Sequence, residues 1–170
     1  MVTQIKSPVT VDEFFAFIEQ PENSDKIFEL IAEEIVEVPS NPYVSKIAAK
    51  ILTFIGMYLL SNDIGHVTGA DGGYQVAGGQ YAPDVAFISY ERQPELVRKG
   101  YNPNPPELAV EVISDPSNAQ EQRYLRLKLS NYLAVGVTVW VVNAEDRRIE
   151  IHAGNAGAQE LDETGILTAE

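Results

Sequence analysis

Single carboxylates set inside runs that otherwise read as buried strand constrain this chain more than any other feature. The clearest run is Leu108-Ala109-Val110-Glu111-Val112-Ile113. A charge there is costly unless it is paired or binds a metal. Taken alone, Glu111 fits a buried salt bridge as well as it fits a functional site. The pattern recurs in Ile27-Phe28-Glu29-Leu30-Ile31. Glu29 either reaches the same site or faces solvent on an edge, whereas Glu33, Glu34 and Glu37 read as surface charge.

Asp84 shifts the balance toward function. It follows Pro83 and opens the apolar strand Asp84 to Ser89. A Pro-Asp pair by itself is an ordinary turn signal. Followed by a second strand with an embedded Glu, it places two carboxylates at adjacent strand ends, where they repel if bare. A divalent cation removes that repulsion and takes oxygen ligands.

Lys128 is the third member. It borders the stripe Leu125, Leu129 and Tyr132 in a helix expected to start at Ser117 or Asn118 and to end before Gly136. The commoner fate of such a lysine is to snorkel at the surface. Arg123 and Arg126 give this helix a basic side, the natural approach for a phosphate.

The remaining elements follow from local signals. Thr10 and Glu13 have capping-box spacing ahead of Phe14, Phe17 and Ile18, which predicts a helix from Thr10 to Glu19. Lys26 to Val38 predicts two extended segments broken near Ala32 to Glu34. Asn41-Pro42 opens a helix to about Ser61. Short strands fit among the glycines from Gly65 to Gly79, including Tyr74 to Ala77. Val137 to Val142 is an apolar run suited to a sheet centre, and Arg148 to His152 pairs with it as a hairpin. The sum is an α/β (α+β) chain with helices flanking one mixed sheet. We expect one domain over 1–170, with a core at about 10–152 and a polar tail at 153–170.

Composition narrows the partners. The net charge of -13 counts against a generic nucleic-acid coat, since phosphate binding relies on Lys and Arg. It does not count against a site whose carboxylates are offset by metal. There is no cysteine, so disulfides and thiolate metal sites are excluded. The first residues lack the apolar core of a signal peptide, and a cytoplasmic location is expected. The stretch from Ile47 to Leu60 is interrupted by Lys50, Thr53 and Gly56, and no membrane span is expected. His66 and His152 fit no ligand motif. Gly72-Gly73 and Gly78-Gly79 are not a phosphate loop. No His or Lys is placed by motif to activate Ser114.

Taken in order, Phe28-Glu29-Leu30-Ile31, Ala82-Pro83-Asp84-Val85, Pro106 to Ser114, Lys128 to Tyr132, Gly136-Val137 and Val139-Trp140-Val141-Val142 resemble the Uma-two family. That family lies in the PD-(D/E)XK, or restriction-endonuclease-like, superfamily. The resemblance spans roughly residues 10 to 152. It implies a nuclease core with a mixed sheet between helices, and a metal-dependent phosphodiesterase site. Asp84 and Glu111 match the acidic metal ligands. The superfamily lysine would stand two residues after Glu111, where this chain has Ile113; in the Uma-two pattern it comes from the next helix, and Lys128 matches it. Glu29 matches the additional acidic residue of the first strand region. Two positions depart from the family: Glu33 stands where Gly is frequent, and Arg123 and Tyr124 occupy a region that often carries Asp.

The resemblance implies an endonuclease acting on nucleic acid, DNA in the first instance. Asp84, Glu111 and the Val112 main-chain carbonyl would hold Mg2+ or Mn2+. Lys128 would orient or deprotonate the attacking water and stabilise charge on the phosphate. The alternative is a catalytically inactive module of the same fold, binding or assembling with a protein partner. The acidic surface leaves room for a basic protein partner, and a homodimer is expected by analogy alone.

Overall fold

The computed structural model describes residues 8–38, 41–154 and 157–166. Its elements follow the expected order. Helix α1 (Val11–Ile18) is closed at its start by the Thr10/Glu13 capping box. Strands β1 (Phe28–Ile31) and β2 (Glu34–Glu37) form a hairpin. Helix α2 (Pro42–Ser61) follows, with the Asn41 side chain accepting from the Tyr43 and Val44 amides. Next come β3 (Gly65–Gly69), β4 (Tyr74–Val76), β5 (Gly79–Tyr81), β6 (Val85–Ser89) and β7 (Leu108–Val112). Helix α3 (Ala119–Ala134) leads to β8 (Thr138–Asn143), β9 (Arg148–His152) and β10 (Gln159–Leu161). The tail thus supplies an edge strand, while 155–156 and 167–170 lie outside the described residues.

Six strands form the mixed sheet, in the order β10-β9-β8-β7-β6-β3. The parallel pair is β7–β8 and the others are antiparallel. A parallel pair needs a crossover connection, and α3 provides it. This topology carries Lys128 back over the strand that holds Glu111. The expectation of a single sheet needs correcting. Strands β2-β1-β5-β4 form a second, antiparallel sheet. Its members are three or four residues long and its β1–β5 pairing joins distant segments, so no local signal announces it.

Strand alternation divides the core. Val85, Val110 and Val112 cluster with Val44 and Ala48 of α2. Ala86 and Ala109 face the opposite way, toward Tyr132 of α3 and Ile31, Tyr74 and Tyr81 of the smaller sheet. Helix α1 packs Phe14 against Phe28 and Leu30. Helix α2 departs from one expectation: with 20 residues and a mean hydropathy of 1.4, it is long and apolar enough to cross a membrane by length and composition. In the fold one side of it lies on the six-stranded sheet.

Two hairpin turns use left-handed backbone. Ala77 and Gly78 have φ of 48° and 84°, and Ala32 and Glu33 have φ of 48° and 64°. Both two-residue turns therefore match the twist that favours such hairpins. The turn at Glu33 keeps this geometry without glycine and carries the corresponding steric cost.

Candidate functional site

The parallel crossover and the smaller sheet close on one cavity of about 320 Å3. Its lining includes Glu29, Asp84, Glu111, Val112, Glu121 and Lys128. The four side chains singled out from the sequence, together with the Val112 backbone, are thus brought to one place.

Each is set there by a local cause. β6 begins at Val85 and its pairing with β7 ends at Val85 and Val110, so the ladder stops before the Val112 amide, and Pro83, with no N–H, has no donor to offer the Val112 carbonyl. The Asp84 carboxylate takes over as acceptor, with Oδ2 2.8 Å from the Val112 amide. Backbone N–H and C=O groups of one strand residue point to the same side, so the Val112 carbonyl also faces the end of β6. Glu111 alternates with Val110 and Val112 and faces α3. Its Oε2 accepts from Lys128 Nζ at 2.7 Å, and its Oε1 accepts from the Tyr132 hydroxyl at 3.1 Å.

Lys128 is buried rather than snorkelling. Nζ donates at 2.7 Å to both Glu111 and Glu29. Glu29 is buried as well, which removes the solvent-facing alternative. Its Oε1 also accepts from the Ala82 amide at 2.8 Å. Glu29 therefore links the backbone ahead of Asp84 to the ammonium on α3.

Charge within the cavity is unbalanced: its lining holds five carboxylates, Glu29, Glu37, Asp84, Glu111 and Glu121, and one ammonium, Lys128. Burial pushes Glu111 up to about 7; Lys128 opposes this, while Glu29 and Asp84 add to it. Burial also raises Asp84, against the Val112 amide and Lys128. For Lys128, burial works to lower the pKa, but Glu111 and Glu29 outweigh it and hold the amine above its ordinary value. The ammonium keeps its proton, while burial and the excess negative charge raise the Glu111 and Asp84 carboxyls together.

Two groups escaped the sequence reading. Tyr132 resembles a core aromatic in an apolar stripe, yet its hydroxyl holds Glu111. Glu121, in the first turn of α3, accepts from the Ser114 amide at 2.7 Å, the Ser114 hydroxyl at 2.9 Å and the Asp115 amide at 3.1 Å. It ties the end of β7 to the helix that carries Lys128. Arg123 faces Glu34 at 3.8 Å, so part of the expected basic side is already neutralised. His66 contacts the Pro94 carbonyl and His152 contacts Glu150, neither in the cavity lining. Among the described residues no three His, Cys, Asp or Glu side chains converge as metal ligands. Any metal here would draw on two carboxylates and main-chain oxygen.

Comparison with known proteins identifies the family and the fold. Residues 11–169 match the model of the Uma2 family, described as "Putative restriction endonuclease". The chain belongs to that family. A solved structure described as a putative nuclease belonging to DUF820, from Anabaena variabilis, superposes with a TM-score of 0.77 at 18% identity. The superposition covers 96% of this chain and 89% of that one. The fold is restriction-endonuclease-like. No curated protein matches the chain.

Proposed function

We propose that this protein is a metal-dependent endonuclease that hydrolyses phosphodiester bonds of nucleic acid, DNA in the first instance, in the cytoplasm. The observation that carries this reading is the meeting of Asp84, Glu111, Val112 and Lys128 at one cavity. The donor set fits a hard divalent ion. Asp84 and Glu111 offer anionic oxygen, the Val112 carbonyl faces the same side, and the cavity holds more negative than positive charge. Mg2+ or Mn2+ bound by these groups would supply Lewis acidity and lower the pKa of water.

The protein's own residues then have separable tasks. Lys128 can direct an N–H at a non-bridging phosphate oxygen and stabilise its charge. The sequence leaves it two roles, and its raised pKa favours charge stabilisation over proton abstraction. Glu29 positions Lys128 through its own anchor on Ala82. Tyr132 and Glu121 orient Glu111 and the end of β7.

The test is cleavage of plasmid, single-stranded DNA and RNA with Mn2+ or Mg2+, comparing wild type with Asp84→Asn and Glu111→Gln. Metal-dependent cleavage by wild type alone is expected. Cleavage that persists in both variants overturns the site assignment. A second reading, an inactive module of the same fold acting with a basic partner, draws support from Lys128 being neutralised on two sides and from the net charge of -13. Failure to bind Mn2+ together with failure to cleave would select it.

A further inference from the structure

The outer side of α2 is the feature that the site leaves unexplained. Phe54 and Leu60 are 67% and 87% exposed, and Tyr43, Met57, Tyr58 and Ile64 are each about half exposed or more. Contiguous apolar surface of this kind marks an interaction site. The exposed stripe Tyr43, Lys46, Lys50, Thr53, Met57 and Leu60 repeats at spacings of three and four, the period by which one helix meets another.

We infer that a second copy of this chain docks here, its α2 antiparallel to the first about a two-fold axis near Thr53. Charge supports a copy of itself as the occupant. The protein carries -13, yet no Asp or Glu occurs between Glu37 and Asp63. This face therefore avoids the carboxylate repulsion that two copies would meet elsewhere. In the antiparallel arrangement Lys46 of each copy lies beside the C-terminal end of the other helix, opposite Leu60. That end carries partial negative charge and is followed by Asp63. The exposed apolar side chains offer on the order of 600 Å2, close to the roughly 800 Å2 per partner of a standard interface.

Light scattering on the eluting full chain tests the inference. Wild type is expected at twice 18.7 kDa, and Phe54→Glu with Met57→Glu at the single mass with an unchanged far-ultraviolet spectrum. Wild type at the single mass, or a double variant that stays dimeric, overturns it. Because the chain has no cysteine, introduced thiols give a second measurement independent of those variants. Thr53→Cys is expected to cross-link on oxidation. Lys46→Cys is not, because helix rise separates the two copies of that position by about 20 Å. The reverse result overturns the antiparallel geometry. Monomeric protein that sediments with phosphatidylcholine/phosphatidylglycerol vesicles would assign the face to a lipid surface and overturn the dimer.

Discussion

Helices α2 and α3 flank the same sheet and divide their chemistry in opposite ways. Helix α2 is apolar apart from Ser45, Lys46, Lys50, Thr53 and Ser61 and shows Phe54, Met57 and Leu60 to solvent. Helix α3 is polar along most of its length and buries a lysine and a tyrosine hydroxyl. Hydrophobic content therefore does not rank these helices by burial. The element that buries polar groups has partners for them: Glu29 and Glu111 for Lys128, and Glu111 for Tyr132. The element that exposes apolar groups has an inner face that already satisfies the sheet. Unusual exposure and unusual burial are separate signals here, one pointing to surface association and the other to chemistry.

The largest expected effect breaks the buried side of this comparison. Lys128→Ala leaves buried Glu29 and partly buried Glu111 without their cation and should destabilise the fold by about 3–5 kcal/mol, measured by urea unfolding at pH 8. A loss of activity in this variant is thus not by itself a catalytic result. Lys128→Ala unfolding like wild type would show that the ion pairs carry little energy.

Glu111→Gln should act with the opposite sign. The folded-state pKa of Glu111, about 7, lies above its ordinary value near 4.5. The folded protein therefore holds more protons than the unfolded chain between these values, and metal-free stability falls as pH rises from about 4.5 through 7. Removing the charge should raise stability at pH 8 and change it little at pH 4, while cleavage is lost. Equal pH profiles for the two proteins would contradict the raised pKa of Glu111.

Asp84→Asn is milder, since its amide oxygen can still accept from Val112. For wild type, a divalent ion at about 100 times its dissociation constant should stabilise the fold by roughly 2.7 kcal/mol through mass action. In Asp84→Asn the gain at the same ion concentration and ionic strength should be much smaller. Equal shifts would trace the effect to screening of the acidic surface.

The smallest test concerns what the helices share. Asn41 and Asn118 each accept from two amides in the first turn. Asn41→Ala and Asn118→Ala should each cost about 1 kcal/mol. Clearly unequal costs would mean that the caps, and not only the faces, distinguish the helices.

How much of this was legible depended on whether a residue contradicted its surroundings. Glu111 and Glu29 stood out as charges in apolar runs, and Asp84 through its place after Pro83. Lys128 was weaker, because a lysine beside an apolar stripe reads the same whether it snorkels or turns inward. Tyr132 was invisible because a tyrosine in such a stripe suits a core perfectly well. Glu121 was hidden by a polar first turn in which a carboxylate is ordinary. A mixed sheet followed from the strand patterns, but its strand order and the crossover through α3 did not. The smaller sheet depended on β1 meeting β5 across α2, β3 and β4, which sequence periodicity does not encode. Glycine signalled the turn at Ala77-Gly78, whereas at Ala32-Glu33 the same backbone formed without it.

The two contacts of Lys128 span very different lengths of chain. Glu111 lies 17 residues before it and Glu29 lies 99 before it. Closing the longer loop costs more chain entropy and comes later in folding. The unit β7–α3–β8 can gather Glu111 and Lys128 by itself, but Glu29 and the Ala82 amide arrive only when the smaller sheet docks. During synthesis Glu29 is made early and waits for a partner nearly a hundred residues downstream. A half-folded molecule therefore holds Lys128 by one carboxylate only, and a fully positioned lysine is a property of the completed fold.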